Sequence, residues 1–266
     1  MRELLSITGV IYKPLSRPRD LTNPDEYIVV ARECGGLGIA NPTRIPIHVL
    51  DAIAKLSREI VVSAHVSETP WMQRVGGLEY LVEHGVRLRH IVHGIYLEDW
   101  EFRYLVDNDI VLVTCPRSNL WFQGRLPRLY KAYEYGVDIA IGSDNTGCFY
   151  PNVWSDIDIA YSLIHNHNPG VTPREFLRHI IRSSIKALGL DKPWCIREGS
   201  IVDLLAINAK EIMVDKSFDK IGAVIKRAQY AKRFLRVTLI KGELSLVINA
   251  PVDYVYLDTV EDLYYI

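Results

Sequence analysis

An α/β fold built as an incomplete (β/α)8 barrel, with a small β appendage towards the carboxyl end, is what this sequence predicts, on three observations. Short apolar, β-branched runs alternate with longer amphipathic segments from Leu4 to Ser143, at intervals of roughly 25 residues, the pattern of a parallel sheet with right-handed helical crossovers. Several of these runs end abruptly in a histidine or an aspartate, as parallel barrel strands do where they leave the core and enter a site. After Ser143 the alternation stops and short strand-like runs separated by turns follow two helical segments.

In order, Leu4–Tyr12 reads as the first strand. Asn23 then caps a helix running to about Glu33, with Pro24 at its first position. Gly36–Ala40 is a short strand closed by Asn41-Pro42, and Pro46–Arg58 a helix with Ile47, Leu50, Ile53, Ala54 and Leu56 mostly on one face. Ile60–Val66 is the next strand, and Thr69-Pro70 opens a helix to about His84. Leu88–Gly94, Ile110–Cys115 and Val137–Ser143 read as strands, with helices over Glu98–Asn108 and Leu126–Tyr135 between them. That makes six strand-plus-helix units where a closed barrel needs eight and about 250 residues. Val153–His165 and Pro173–Leu188 read as consecutive helices, and Ile201–Ala206, Val237–Lys241, Leu244–Asn249 and Val252–Leu257 as strands of the appendage. The expected division is residues 1–195 for the partial barrel and 196–266 for the small β-domain.

Composition narrows the class. The 266 residues, 48% of them hydrophobic, suffice for one large core, and 31 Lys+Arg nearly cancel 32 Asp+Glu. Neither a nucleic acid nor a membrane surface is therefore expected as a partner, and no apolar run reaches the ~18 residues of a membrane span. Cys34, Cys115, Cys148 and Cys195 are widely spaced with no C-x-x-C pair, which gives neither a zinc ribbon nor a disulfide framework. A cytoplasmic protein is expected. Open strand edges at Leu4–Tyr12 and Val137–Ser143 would tend to associate, so the expected partners are a small-molecule substrate and either a second copy or another chain that completes the barrel.

The chemistry concentrates at strand ends. Ser63 and His65 share a face by alternation, and Glu68 lies in the loop above. His93 ends the next strand before Gly94, while His90 has the opposite parity and is expected to face the helix layer. Asp144 follows Gly142-Ser143 at the last strand, with Ala140 and Gly142 leaving room inside. Imidazole and carboxylate brought to one rim are what a catalytic divalent metal requires. Asp144 could equally be a turn residue, and Glu68 a solvated helix-start glutamate. His165-Asn166-His167 is the sole His-x-His; residues two apart on a helix face different sides, which argues against metal duty.

His65-Val66-Ser67-Glu68-Thr69, His93-Gly94, Cys115-Pro116-Arg117-Ser118-Asn119 and Gly142-Ser143-Asp144-Asn145, in this order, resemble the amidohydrolase superfamily. The nearest branch is that of the chlorohydrolases and the cytosine, guanine and S-adenosylhomocysteine deaminases; Arg197-Glu198-Gly199-Ser200-Ile201-Val202-Asp203-Leu204 is similar to its glycine-acidic strand. The resemblance implies hydrolysis of a non-peptide carbon–nitrogen bond, deaminating a nucleobase-like ring with one divalent ion, Zn2+ or Fe2+. It implies that His65 and Asp144 ligate and that Asp144 also accepts a proton from the attacking water. His93 would hold the nucleophile or polarise the substrate, Glu68 would shuttle a proton to the ring nitrogen, and Ser118 and Asn119 would border the substrate. The family's first strand ends in His-x-His, and no strand here does. Asn41 stands nearest to where its fourth strand carries a histidine, and Gly35–Asn41 holds no lysine. A chain that lacks its amino-terminal strands, a barrel completed by a second polypeptide, and a non-catalytic relative that binds a small molecule or partner are the three readings of that departure.

Overall fold

The computed structural model describes residues 13–145, 147–190, 203–231, 234–240 and 243–249. The chain divides into two compact units, one of Lys13–Leu190 and one that holds the carboxyl-terminal strands.

In the larger unit, helix α1 (Pro24–Cys34) starts as its sequence predicts: Asn23 Oδ1 accepts from the backbone N–H groups of Asp25 and Glu26, and Gly35 ends it with φ 77°. Then come β1 (Gly36–Ile39), α2 (Ile47–Leu56), β2 (Val61–Val66), α3 (Pro70–Arg74), α4 (Gly77–Glu83), β3 (His90–His93), α5 (Asp99–Asp107), β4 (Val111–Thr114), α6 (Pro116–Gln123), α7 (Leu129–Tyr135), β5 (Ile139–Ile141), α8 (Val153–His167) and α9 (Pro173–Ala187). Strands β1 to β5 form one parallel sheet in sequence order, so five of the six expected barrel strands are seen. The expected strand Leu4–Tyr12 lies outside the described residues. Beside β1, Ser16 makes a parallel bridge to Leu37, its N–H donating to Gly36 O and its O accepting from Gly38 N–H.

The sheet's two faces differ. Val62, Ala64, Val66, Ile91 and Leu112 are fully buried beneath the helices, and each larger side chain of this set contributes about 1.5–3 kcal/mol through burial. On the other face His65, Val92 and Val113 lie side by side in register and are only half-buried. That face is the one a closed barrel turns inward.

Four expectations are corrected. The helix from Thr69 breaks into α3 and α4 at Gly76, whose φ of 66° no helix accommodates. Ile47 is 60% exposed, and Val49 instead faces the core with Leu50, Ile53 and Leu56. Helix α6 is not among the expected elements. His90 lies on the opposite face from the one expected, in register with Ser63 and Val111 on the face that carries His65, and it meets there the backbone of Ala187 at the end of α9.

His90 is buried there with its Nδ1 unpartnered. Burial, reinforced by the Arg89 guanidinium, pushes its imidazole down from 6.5 to about 4. Between pH 6.5 and 4 the unfolded chain therefore takes up a proton that the folded chain refuses, and stability falls as pH drops. His90→Leu should remove this loss, gaining about 2 kcal/mol over the native chain at pH 5 in urea denaturation; equal slopes of stability against pH would refute it.

The second unit holds β6 (Asp203–Ile207), β7 (Phe234–Ile240) and β8 (Glu243–Asn249) as an antiparallel sheet in that order. An unanticipated helix, α10 (Lys220–Arg227), is capped by Asp219 and precedes β7. Residues 252–257, the fourth expected strand, lie outside the described residues.

Candidate metal centre

Strands β2 and β3 place the principal side chains. His65 is the last but one residue of β2, so alternation turns it to the open face. His93 ends β3 in register with Val66, on the wrong face by simple parity. Its φ of 73° breaks the alternation and swings the ring to the rim, where its centroid lies 4.8 Å from that of His65, nearly edge to face. Glu68 Oε2 stands 3.6 Å from His65 Nδ1 and 3.7 Å from His93 Nε2. One ligand atom from each of His65, Glu68 and His93 falls within 4.8 Å of the others. The hydrogen bond to His65 holds the Glu68 carboxyl below the usual range against burial, and the electrostatics of the neighbouring His93 and His65 add to this.

Hydrogen bonds fix both rings. His93 Nδ1 lies 2.9 Å from Asn119 Oδ1, an acceptor, so the proton sits on Nδ1 and the Nε2 lone pair faces Glu68. Asn119 is itself fixed by donating to Thr114 Oγ1 at 3.4 Å. Arg17 Nη2 is 3.2 Å from His65 Nε2; a guanidinium only donates, so that nitrogen carries a lone pair and Nδ1–H points at Glu68.

The other expected site residues are placed as follows. Ser118 and Asn119, in the first turns of α6, are almost fully buried and contact Asp144 and His93. Asp144, at φ 54°, accepts from Ser118 Oγ and is not in the three-residue group. His165 packs against Tyr161 and His167 against Tyr130, ring centroids 5.3 and 3.9 Å apart. Asn41 caps the short 3-10 turn Pro42–Arg44.

Residues 8–242 match the model of the amidohydrolase family. The chain belongs to that family. This amidohydrolase is 26% identical over 204 residues to an uncharacterised protein of Methanocaldococcus jannaschii, covering 70% of this chain and 50% of the other. It is 29% identical over 177 residues to the 5-methylthioadenosine/S-adenosylhomocysteine deaminase of Pyrococcus furiosus, covering 64% and 40%. The chain thus spans about half the length of the curated relatives it matches. Two solved structures share its fold: an adenosine deaminase from Xanthomonas campestris with bound zinc (TM-score 0.74, 18% identity, covering 91% of this chain and 60% of that one) and E. coli guanine deaminase (0.65, 18%, 83% and 58%).

The amidohydrolase's own donor set fits a divalent ion. Two imidazoles and an ionised carboxylate bring one ligand atom each within 4.8 Å of the others, and one ring is braced from behind by an amide, as ligating histidines usually are. Three contributors carry little or no signal in the sequence. Arg17 comes from 48 residues away and has no local signature. Arg117 grips the wholly buried Asp156 (Nη2 to Oδ2 2.8 Å) and donates to the carbonyls of Tyr150 and Asn152, tying down the segment after Asp144. Glu101 accepts from Gln73 Nε2 at 2.9 Å, while Gln73 Oε1 accepts from Ser67 Oγ, next to Glu68. Of these, Arg117 falls within the motif Cys115–Asn119 without a role given to it there, and Glu101 belongs to the capping box Glu98-x-x-Glu101, a local pattern that could reveal it.

Proposed function

We propose that this chain is the carbon–nitrogen hydrolase part of an aminohydrolase, replacing an exocyclic amine of a nucleobase-like ring by oxygen with release of ammonia. The convergence of His65, Glu68 and His93 from separate strand ends carries this reading, and the deaminase named among the relatives supports the substrate class. His65 and His93 would hold a divalent ion, Zn2+ or Fe2+, and Asp144, in the loop after β5, is the further candidate ligand. When bound, such an ion lowers the pKa of water by many units, towards ~7, and so supplies a nucleophile at neutral pH.

The chain's own groups do the rest. Glu68, kept anionic between two imidazoles, takes a proton from the attacking water and passes it to the ring nitrogen or to the departing amine. Asn119 keeps the His93 lone pair aimed at the site. Ser118 orients Asp144, which is the second proton acceptor. Exposed aromatic faces at the same end, Trp121 and Tyr150, offer stacking to a planar ring.

A second reading, a non-catalytic binding protein, draws on Arg17: a cation already sits at His65 Nε2. Metal content of the purified chain, followed by ammonia release from 5-methylthioadenosine, adenosine and guanine, separates the two. One bound Zn2+ or Fe2+ with turnover abolished by Glu68→Gln supports hydrolysis. A metal-free chain that still binds a purine nucleoside would establish the second reading.

A further inference from the structure

At the opposite end of the same strands lies a cleft of about 500 Å3 that the proposed chemistry does not use. Its walls come from the segments that enter β2, β3 and β4, and include Arg58, Arg87, Arg89, Tyr104, Asn108 and Asp109. From Ile60 to His65 is five strand residues, so roughly 16 Å separate it from the metal centre.

Three arginines line it for identifiable reasons. Arg87 and Arg89 alternate with the buried Val86 and Leu88, so both project to the same side. Arg58 is brought alongside because Ser57 Oγ accepts from the backbone N–H of Arg87 at 2.9 Å. No side chain among the described residues pairs with any of these three guanidinium groups, whereas Arg117, Arg128 and Arg182 each hold a carboxylate. The one carboxylate of the lining, Asp109, is held by Lys186, whose ammonium also binds Asp138 at 2.6 Å. Among the described residues the cleft thus presents three arginines with no paired carboxylate, a local excess of positive charge that favours an anion. The volume suits a small ligand, and planar guanidinium forks match phosphate oxygens in pairs.

We propose that this cleft binds a small phosphorylated anion carrying at least two negative charges. Isothermal titration of the full chain with sodium pyrophosphate, and separately with ATP, tests this. The expected result is saturable binding with Kd below 1 mM that weakens as NaCl rises and weakens at least tenfold in Arg87→Gln/Arg89→Gln. Similar affinities identify inorganic phosphate chemistry as sufficient; tighter ATP binding identifies a nucleotide, with Tyr104 as the wall for its base. The His65→Ala protein should bind equally well, which excludes chelation by a metal at the far end. The three positions are exposed, so the variants should melt as the native chain does; should the double variant not fold, Arg58→Gln alone must weaken binding. Absence of heat with both ligands at 1 mM, or a Kd unchanged by these substitutions, overturns the proposal. So does an oligoribonucleotide that binds more tightly than pyrophosphate with affinity growing with length.

Discussion

Replacing His65 by alanine should lower the affinity of the chain for Co2+ or Zn2+ at least 100-fold, about 2.7 kcal/mol, and Arg17→Gln should raise it. The opposite signs follow from one contact. His65 Nε2 offers its lone pair to the Arg17 guanidinium at 3.2 Å, so the ring's free lone pair is shared with a fixed positive charge. An incoming dication must drive that charge away, at a cost of about 1 kcal/mol in a water-exposed setting, so its removal should tighten binding roughly three- to tenfold. His93 is affected differently, because its tautomer depends on Asn119 Oδ1 at 2.9 Å. Asn119→Leu frees the ring and should cost 10- to 100-fold in affinity while leaving Arg17 in place. Titration with Co2+, followed by its visible absorption and calibrated with a competing chelator, measures all three. If the His65→Ala chain binds as tightly as the native one, the site lies elsewhere; if Arg17→Gln weakens binding, the arginine supports the ligand and does not compete with it.

Much of this geometry is legible in the chain, but unevenly. The strands announce themselves because buried parallel strands are continuous apolar runs, and His65 and Glu68 stand out because polar groups that close such a run sit at the mouth of the sheet, where sites form. Helix α1 is readable from Asn23 and Pro24. His93 is recognisable as a site residue although alternation alone would turn it away; its φ of 73° is a backbone choice that residue type hardly encodes. The same alternation, counted from His93, gives the wrong face for His90. Helix α6 does have a signal, Pro116 at its start and Gly124 in the left-handed conformation just past its end, which is hidden when Cys115–Asn119 is taken only as a motif. The contacts of Arg17 with His65 and of Glu101 with Gln73 span 48 and 28 positions, and no local pattern reports a pairing created only by the fold.

Glu101→Gln should make the chain on the order of 3 kcal/mol less sensitive to alkali between pH 4.5 and 8. Glu101 is 1% exposed, and burial, with the nearby carboxyls of Glu79 and Glu98 adding to it, raises its carboxyl from 4.5 to about 7 despite hydrogen bonds from Glu98 and Gln73. A folded-state value above the unfolded one means the contribution to stability is complete below pH 4.5 and is lost as pH rises through about 7. Both hydrogen bonds, from Gln73 Nε2 at 2.9 Å and from the Glu98 N–H at 2.7 Å, arrive at the same oxygen, Oε2. A glutamine can therefore put its carbonyl oxygen there, keep both bonds and never ionise. Leucine cannot: two buried donors would lose their acceptor, at about 1–3 kcal/mol each. The consequence reaches the metal centre, since the Gln73 amide that Glu101 orients accepts from Ser67 Oγ, and Ser67, at φ 50° and anchored by Tyr96 N–H to its carbonyl, sets where Glu68 begins. Guanidinium denaturation of the native chain, Glu101→Gln and Glu101→Leu at pH 5, 6 and 8 reads the stability, and Co2+ titration reads the site. The glutamine variant should match the native chain at pH 5, exceed it at pH 8 and bind Co2+ normally, whereas leucine should lose stability at every pH and bind Co2+ more weakly. Parallel stability curves for native and glutamine proteins would mean that Glu101 is ionised throughout, and that its carboxylate reaches solvent the described packing denies it.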